Sequence, residues 1–292
     1  MDLTHLNTFV AAAEQLSFSL AAEQLHVTQP AVSKRISALE QQLGVRLFDR
    51  INRDILLTDA GKALLPRAYR LINELKDTQR ALHNLEHQVS GSLSLATSHH
   101  IGLHRLPPIL REFTRRYPEV QLDIRFLDSE VAYEEVLQGR CELAIITLSP
   151  HTLPPLAAHL LWNDELVFVA AKDHPLAEQA PLTLSELASH PAIFPGSHTF
   201  TQKIAQQLFD QQGLVPCISM STNYMETIKM MVSIGLAWSV LPKTMLDTEL
   251  IQLNVQAPSL LRPLGYIQHQ QRTASNAVNA LIDILHSYKN AE

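Results

Sequence analysis

The sequence predicts an α+β chain in three parts: a small helical domain ending in a two-stranded hairpin, a long helix, and a two-lobed α/β domain. Three stretches carry that prediction. Residues 17–44 read as two short helices around a tight corner, residues 58–89 repeat apolar side chains at steps of four and three, and beyond Gly91 β-type runs alternate with helical ones. At 292 residues the chain is long enough for two or more domains with real cores.

The first helix is set by Leu3, Leu6, Phe9, Val10 and Ala13, whose helical spacing marks a core-facing support. Ser19 is the expected cap of the second, which runs through Leu20, Ala21, Ala22 and Leu25, because its hydroxyl accepts from a first-turn N–H that has no partner within the helix. His26 and Val27 make the corner. Thr28 then caps a third helix carrying Ala31, Val32, Ile36, Leu39 and Leu43; Pro30 sits in its first turn, where a missing N–H costs nothing, and Gly44 stops it. Small residues at Ala21, Ala22, Ala31 and Ala38 let the second and third helices cross steeply, as in a helix-turn-helix.

The start of the third helix, Thr28, Gln29, Pro30, Ser33, Lys34 and Arg35, is the candidate DNA-facing set. An amide can pair with adenine, a cation with guanine or phosphate, and a hydroxyl with either. The same residues also suit a solvated face on a helical hairpin. After Gly44 the run VRLFDRINRDILLT, anchored by Leu47 and Phe48, fits a two-stranded wing with Asn52 and Arg53 at its tip. Arg50 and Arg53 then face a DNA backbone or minor groove, unless the tip is only a solvated hairpin. The net charge of −6 argues against nucleic acid, yet between Thr28 and Lys62 six Lys or Arg stand against four acids, and phosphate responds to the local field.

Thr58 opens the long helix. Leu64, Ala68, Leu71, Leu75, Thr78, Leu82, Leu85 and Val89 form a heptad-like seam, which at this length implies pairing with a second helix and hence a dimer presenting two readers to two related half-sites. A single amphipathic core helix is the other reading. Pro66 should bend or loosen the helix near Lys62, and Gly91 breaks it.

Two cysteines, Cys141 and Cys217, form neither a disulfide frame nor a zinc set, which points to a reducing cytoplasm. Asp2, His5, Asn7, Glu14 and Gln15 interrupt the apolar residues at the start, so no leader is expected, and no window is apolar enough to span a bilayer. There is no nucleophile elbow, Gly-rich phosphate loop or paired-histidine zinc motif, so neither catalysis nor a cofactor is expected.

Past Gly91, LSLAT, VQLDIRFL, CELAIITL, ELVFVAA, PAIFPG, CISMST and LAWSVLP read as strands, with helices at 107–117, 130–139, 184–188, 199–212 and 224–234. That alternation implies a mostly parallel sheet covered by helices, arranged as two similar lobes.

LNTFVAAAEQLSFSLAAEQLHVTQPAVSKRISALEQQLGVRLFDR and LLTDAGKALLPRA together resemble the amino-terminal domain of LysR-type transcriptional regulators over residues 3–68. The resemblance rests on Ala21 and Ala22, TQPAVS from Thr28 to Ser33, Leu39 and Glu40, LFDR from Leu47 to Arg50 and LTDAG from Leu57 to Gly61; Leu16 departs, since members usually carry glycine there. LPPILREFTRRYPEV, DELVFVAAKDHPLA and METIKMMVSIGLAWSVLP are similar to the family's effector domain, which is built like type 2 periplasmic solute-binding proteins. The resemblance implies a winged helix-turn-helix at 1–58, a dimerising linker helix at 59–90, and an effector domain at 91–292, with lobe I at 91–161 plus 266–292 and lobe II at 162–265. It further implies a cytoplasmic, sequence-specific regulator of transcription that binds double-stranded DNA as a homotetramer, a dimer of dimers, with a small-molecule effector between the lobes. RNA polymerase is a further candidate partner, and a membrane is not. A solute-binding module without DNA contact is the rival reading, and the whole first domain speaks against it.

The cleft between lobes is nominated residue by residue. Ser98, His99 and His100 open a helix after the first strand; Ser197, His198, Thr199 and Thr201 do the same in the second lobe; Thr147 and Asn223 add polar walls and Phe194 an apolar one. Two hydroxyl-rich helix starts facing each other suggest a small carboxylate or other anion, although each residue also suits ordinary capping. His100 and His104 have the spacing for a shared metal, with His99 adjacent, but no cysteine or carboxylate is grouped with them, and none is expected to bind. A redox switch would need the two cysteine Cα atoms within about 7 Å. Met225, Met230 and Met231 read as packing.

Overall fold

The computed structural model describes residues 2–51, 54–86, 88–179 and 181–289. The chain divides into two compact units, Met1–Glu86 and His87–Glu292, so the long helix belongs with the first.

In that unit, α1 (Leu3–Gln15), α2 (Phe18–Gln24) and α3 (Gln29–Leu43) precede the antiparallel strands β1 (Phe48–Ile51) and β2 (Asp54–Leu57) and the helix α4 (Asp59–Asn84). Ser17, not Ser19, caps α2 by accepting from Leu20 N at 3.3 Å. The chain leaves α1 through Leu16 in the left-handed region at φ 46° and is ready to re-enter a helix one residue later, which leaves Ser19 inside the first turn. Thr28 caps α3 through Ala31 N, and Gly44 closes it at φ 70°.

Val32, Ile36 and Leu39 bury the inner face of α3 against Phe9, Phe18 and Phe48, with Phe18 edge-on to Phe48 at 5.4 Å. Each such aromatic contributes about 2 kcal/mol by burial. The wing is tied to α3 by Glu40, whose carboxylate accepts from Leu47 N at 2.7 Å and Phe48 N at 3.3 Å. At the other end of the hairpin, Thr58 Oγ1 donates to Arg46 O at 2.7 Å, and a Cβ on Gly61 would stand 2.3 Å from Leu47 O. Glycine is the residue that lets α4 start flush against the wing.

The apolar seam of α4 is divided. Ala68 and Ile72 are buried in the unit's own core and Leu64 is half-buried there, whereas Leu71, Leu75, Thr78 and Leu82 are exposed. The helix is continuous across Pro66 and stops at Asn84 with Leu85 as its cap, so Leu85 and Val89 lie outside the helix the sequence extended to Gly91. Their spacing continues the seam, but after Asn84 the chain makes only tight three-residue turns, Leu85 N to Leu82 O and Glu86 N to His83 O, among the described residues.

The second unit carries β3 (Gly91–Thr97), α5 (His99–His104), α6 (Leu106–Arg116), β4 (Val120–Phe126), α7 (Ser129–Leu137), β5 (Leu143–Thr147), β6 (Leu156–Ala171), α8 (Leu184–Ala188), β7 (Pro191–Phe194), α9 (Phe200–Asp210), β8 (Cys217–Ser221), α10 (Met225–Ser233), β9 (Ser239–Pro242), β10 (Leu250–Gln252), β11 (Leu260–His269) and α11 (Asn276–Lys289). β10, β6, β11, β5, β3 and β4 form one sheet in that order, with β9 also on β6, while β7 and β8 pair separately. Parallel pairing holds for β3 with β4 and β5 and for β7 with β8. The expectation of a mostly parallel sheet fails at β6, β9, β10 and β11, all antiparallel to their neighbours.

The reason is topological. β6, 16 residues long, and β11, of 10, pass from one lobe into the other, and their register shifts at Leu264/Gly265 where they cross. The expected strands are shorter, the first from Glu165 and the second, by the family resemblance, from Tyr266, which leaves Asp164 and Arg262 outside them. In the ladder those two residues are direct partners. One core gathers Leu93, Phe113, Ile145 and Leu281, and another surrounds the fully buried Trp238, whose Nε1 donates to Leu187 O at 2.9 Å. Among the described residues, no helix is long and apolar enough to cross a membrane.

Candidate functional sites

The face of α3 opposite its core stripe is polar. Thr28, Gln29, Pro30 and Lys34 are exposed and Ser33 is half-buried. Arg35 differs from the expectation: it is half-buried, with its guanidinium 3.5 Å from Thr8 Oγ1 on α1. Ser37 and Gln41 continue the exposed line at steps of three and four; no local pattern marks the set as running beyond the first turns. On the wing, Arg50 lies on β1 opposite Ile55, and Arg53 lies outside the described residues.

In the second unit a cleft opens between the two lobes, offering about 50 Å³ to the centres of water-sized molecules. Of the nominated residues, Ser98, His99, His100, Thr147, Thr199, Thr201 and Asn223 all border it. Three do not. Phe194 is buried and packs edge-on to Trp238 at 5.4 Å, while Ser197 and His198 sit outside the lining, with His198 largely exposed and 3.7 Å from Asp128. An alternating strand end such as PAIF gives no sign of which face its last residue takes.

Asp128, Ser129, Glu130, Pro195, Met225 and Arg262 complete the wall and were missed, for they come from segments that read as helix starts or strands. Their roles are physical. Glu130 of α7 accepts from Phe200 N at 2.5 Å, so the positive end of α9 already faces an internal carboxylate. Asp128 accepts from Asn223 Nδ2 at 2.6 Å, and Asn223 Oδ1 in turn accepts from Gly196 N at 2.8 Å. The Glu130–Phe200 and Asp128–Asn223 bonds latch the lobes across the cleft.

Arg262 lies at the base. It and Asp164 are each 2% exposed and 2.5 Å apart, and the guanidinium also reaches Thr201 Oγ1 at 3.4 Å and Met225 Sδ at 3.2 Å. Burial works against its charge and Asp164 sustains it. Its Nε is buried with no hydrogen-bond partner among the described residues.

Beside Arg262, His100 and His104 project from α5 towards Glu226 of α10. His104 Nε2 is 3.0 Å and His100 Nδ1 3.7 Å from Glu226 Oε1. The expectation that no carboxylate accompanies these histidines is therefore wrong: the fold brings one from more than a hundred positions away, a distance no local pattern reports. Burial, with Arg262 close by, pushes His100 down to about 3 and keeps its ring neutral. Burial also opposes the Glu226 charge, but its own backbone N–H and His104 hold its pKa below the ordinary carboxylate value. Cys141 is buried and Cys217 exposed, both free; burial raises Cys141 to about 11, so its thiol is inert near neutrality.

Comparison with known proteins gives two family matches: the LysR substrate binding domain over residues 86–289, and the bacterial regulatory helix-turn-helix protein, lysR family, over residues 3–62. The chain is 33% identical over 258 residues to the uncharacterized HTH-type transcriptional regulator YnfL of Escherichia coli (strain K12), covering 87% of this chain and 85% of that one. An uncharacterized HTH-type transcriptional regulator from the ibpB-leuC intergenic region of Azotobacter vinelandii is 70% identical over 108 residues, 37% of this chain and 75% of the relative. Among solved structures, a cysteine-to-aspartate variant of full-length OxyR from Pseudomonas aeruginosa has a TM-score of 0.71 at 22% identity, covering 98% of this chain and 94% of that one.

Proposed function

The chain belongs to the LysR family of bacterial DNA-binding transcriptional regulators, and from that premise we propose that α3 reads operator bases through Gln29, Ser33 and Lys34 while a small carboxylate in the lobe cleft sets how the readers are held. The observation that carries the DNA assignment is the exposed polar line on α3, backed by a core stripe that keeps the helix rigid. Thr28 and Pro30 present the first turn to the backbone, the wing with Arg50 and Arg53 lies on the flanking phosphates, and Arg35 braces α3 on α1 while adding positive field. The protein works by binding rather than by catalysis, in the cytoplasm with its DNA, and RNA polymerase is the machinery it addresses.

The first test measures operator binding by fluorescence anisotropy over a salt series, on a site found by mapping bound genomic DNA. Lys34→Ala should weaken binding on all sequences and flatten the salt slope by about one ion, while Gln29→Ala relaxes base discrimination at one position. Wild-type binding and slope in both variants would remove α3 from the groove.

For the effector, the supporting features are the Arg262 guanidinium with its unpartnered Nε and the hydroxyls of Ser98, Thr147 and Thr201 around the same cavity. A carboxylate that enters competes with Glu130 for the start of α9 and loosens that latch. Binding then favours one lobe arrangement by its difference in affinity for the two. Calorimetry of the full chain with a panel of small carboxylates should find one that binds, with Thr201→Val and Ser98→Ala each weakening it; a panel whose only binders are cations would overturn the anionic reading.

A further inference from the structure

We infer that His100, His104 and Glu226 form a site for a borderline transition-metal ion of the Zn²⁺ class that links the two lobes of the second unit. The three donor atoms lie within 4.8 Å of one another, with Glu226 Oε1 3.0 Å from His104 Nε2 and 3.7 Å from His100 Nδ1. Around a tetrahedral ion with bonds of about 2.0–2.2 Å, neighbouring donors stand roughly 3.3 Å apart, so a small side-chain adjustment closes the set. The histidines are four residues apart on α5, and their rings lie 4.7 Å from each other.

A second observation is independent of that spacing. His100 is 5% exposed, and its Nδ1 is buried without a hydrogen bond among the described residues, facing Glu226. Buried ring nitrogens nearly always have a partner, and a metal ion satisfies this one. Two imidazoles and one carboxylate select Zn²⁺, Co²⁺ or Ni²⁺ over Mg²⁺ or Ca²⁺, and three protein ligands leave a fourth position to water or a ligand group. Since His100 and His104 come from one lobe and Glu226 from the other, the ion stabilises the lobe arrangement that brings them together. His100 also borders the cleft, but all three donors are the chain's own whichever effector fills it.

The test uses the full chain after chelation. Zn²⁺ competition against a chromophoric chelator should give one equivalent bound at micromolar affinity or tighter, and Co²⁺ should give the intense visible bands of a four-coordinate ion. His104→Ala and Glu226→Gln, both at partly exposed positions, should each weaken binding by about tenfold or more and abolish the Co²⁺ bands, whereas His151→Ala on an exposed loop changes neither. Zn²⁺ should raise the melting temperature of the wild type and not of the first two variants, which also reports whether they fold. Absence of binding by the wild type, or retention of wild-type affinity and bands in His104→Ala and Glu226→Gln, would overturn the site and leave the carboxylate reading standing.

Discussion

Leu16 occupies a left-handed backbone position, φ 46°, between α1 and α2, and is half exposed to solvent. A side chain there costs about 1–2 kcal/mol of strain, partly offset by the lower entropy of its unfolded state compared with glycine. Leu16→Gly should therefore stabilise the first unit by about 0.5–1 kcal/mol in chemical denaturation. Gly61 has the opposite character, because the carbonyl of Leu47 fills the space a Cβ needs. Gly61→Ala should lower stability by about 2 kcal/mol and loosen the wing, read as faster proteolysis of the hairpin. Both positions stood out in the sequence, one as a departure from the family pattern and one as part of LTDAG, but only the backbone shows that their physical demands differ.

At the scale of elements, the β6–β11 ladder has a buried ion pair at its crossing between lobes. Arg262→Met or Asp164→Leu alone leaves an uncompensated buried charge and should cost about 3–5 kcal/mol, while the double variant Arg262→Met with Asp164→Leu recovers much of the loss. A double-mutant cycle by urea denaturation of the full chain reads that coupling. The single-turn helix Pro175–Glu178 is capped by His174, whose Nδ1 accepts from Leu176 N at 3.2 Å and must be neutral to do so. Burial, and then His190, hold the His174 pKa below 6.5. The unfolded chain thus takes up that proton first, and stability present above pH 6.5 is lost as pH falls, by at most about 1.4 kcal/mol per pH unit. His174→Asn keeps an acceptor without titrating and should flatten the acid limb of a melting-temperature profile.

For the whole molecule, the exposed half of the α4 seam is decisive. Leu71, Leu75 and Leu82 are 47%, 39% and 63% exposed, and a row of leucines on one helix face is apolar surface suited to a second α4. Replacing all three with Gln should leave the fold of each unit intact and shift the sedimentation coefficient towards the monomer, with operator affinity falling in step. An unchanged sedimentation profile would put the dimer contact elsewhere.

What the residues alone determined was what depends on near neighbours in the chain: the Thr28 and Thr58 caps, the Gly44 stop, helix spacing, the wing, the leucine row and the polar start of α3, each set by contacts within a few positions, while the cap of α2 and the end of α4 were misplaced. The carboxylate beside His104, the guanidinium beneath the cleft, the α7 glutamate at the start of α9 and the turning inward of Phe194 were decided by tertiary structure. These join residues far apart in sequence across two long strands, and burial and partner choice at such distances follow from packing, which no local periodicity encodes.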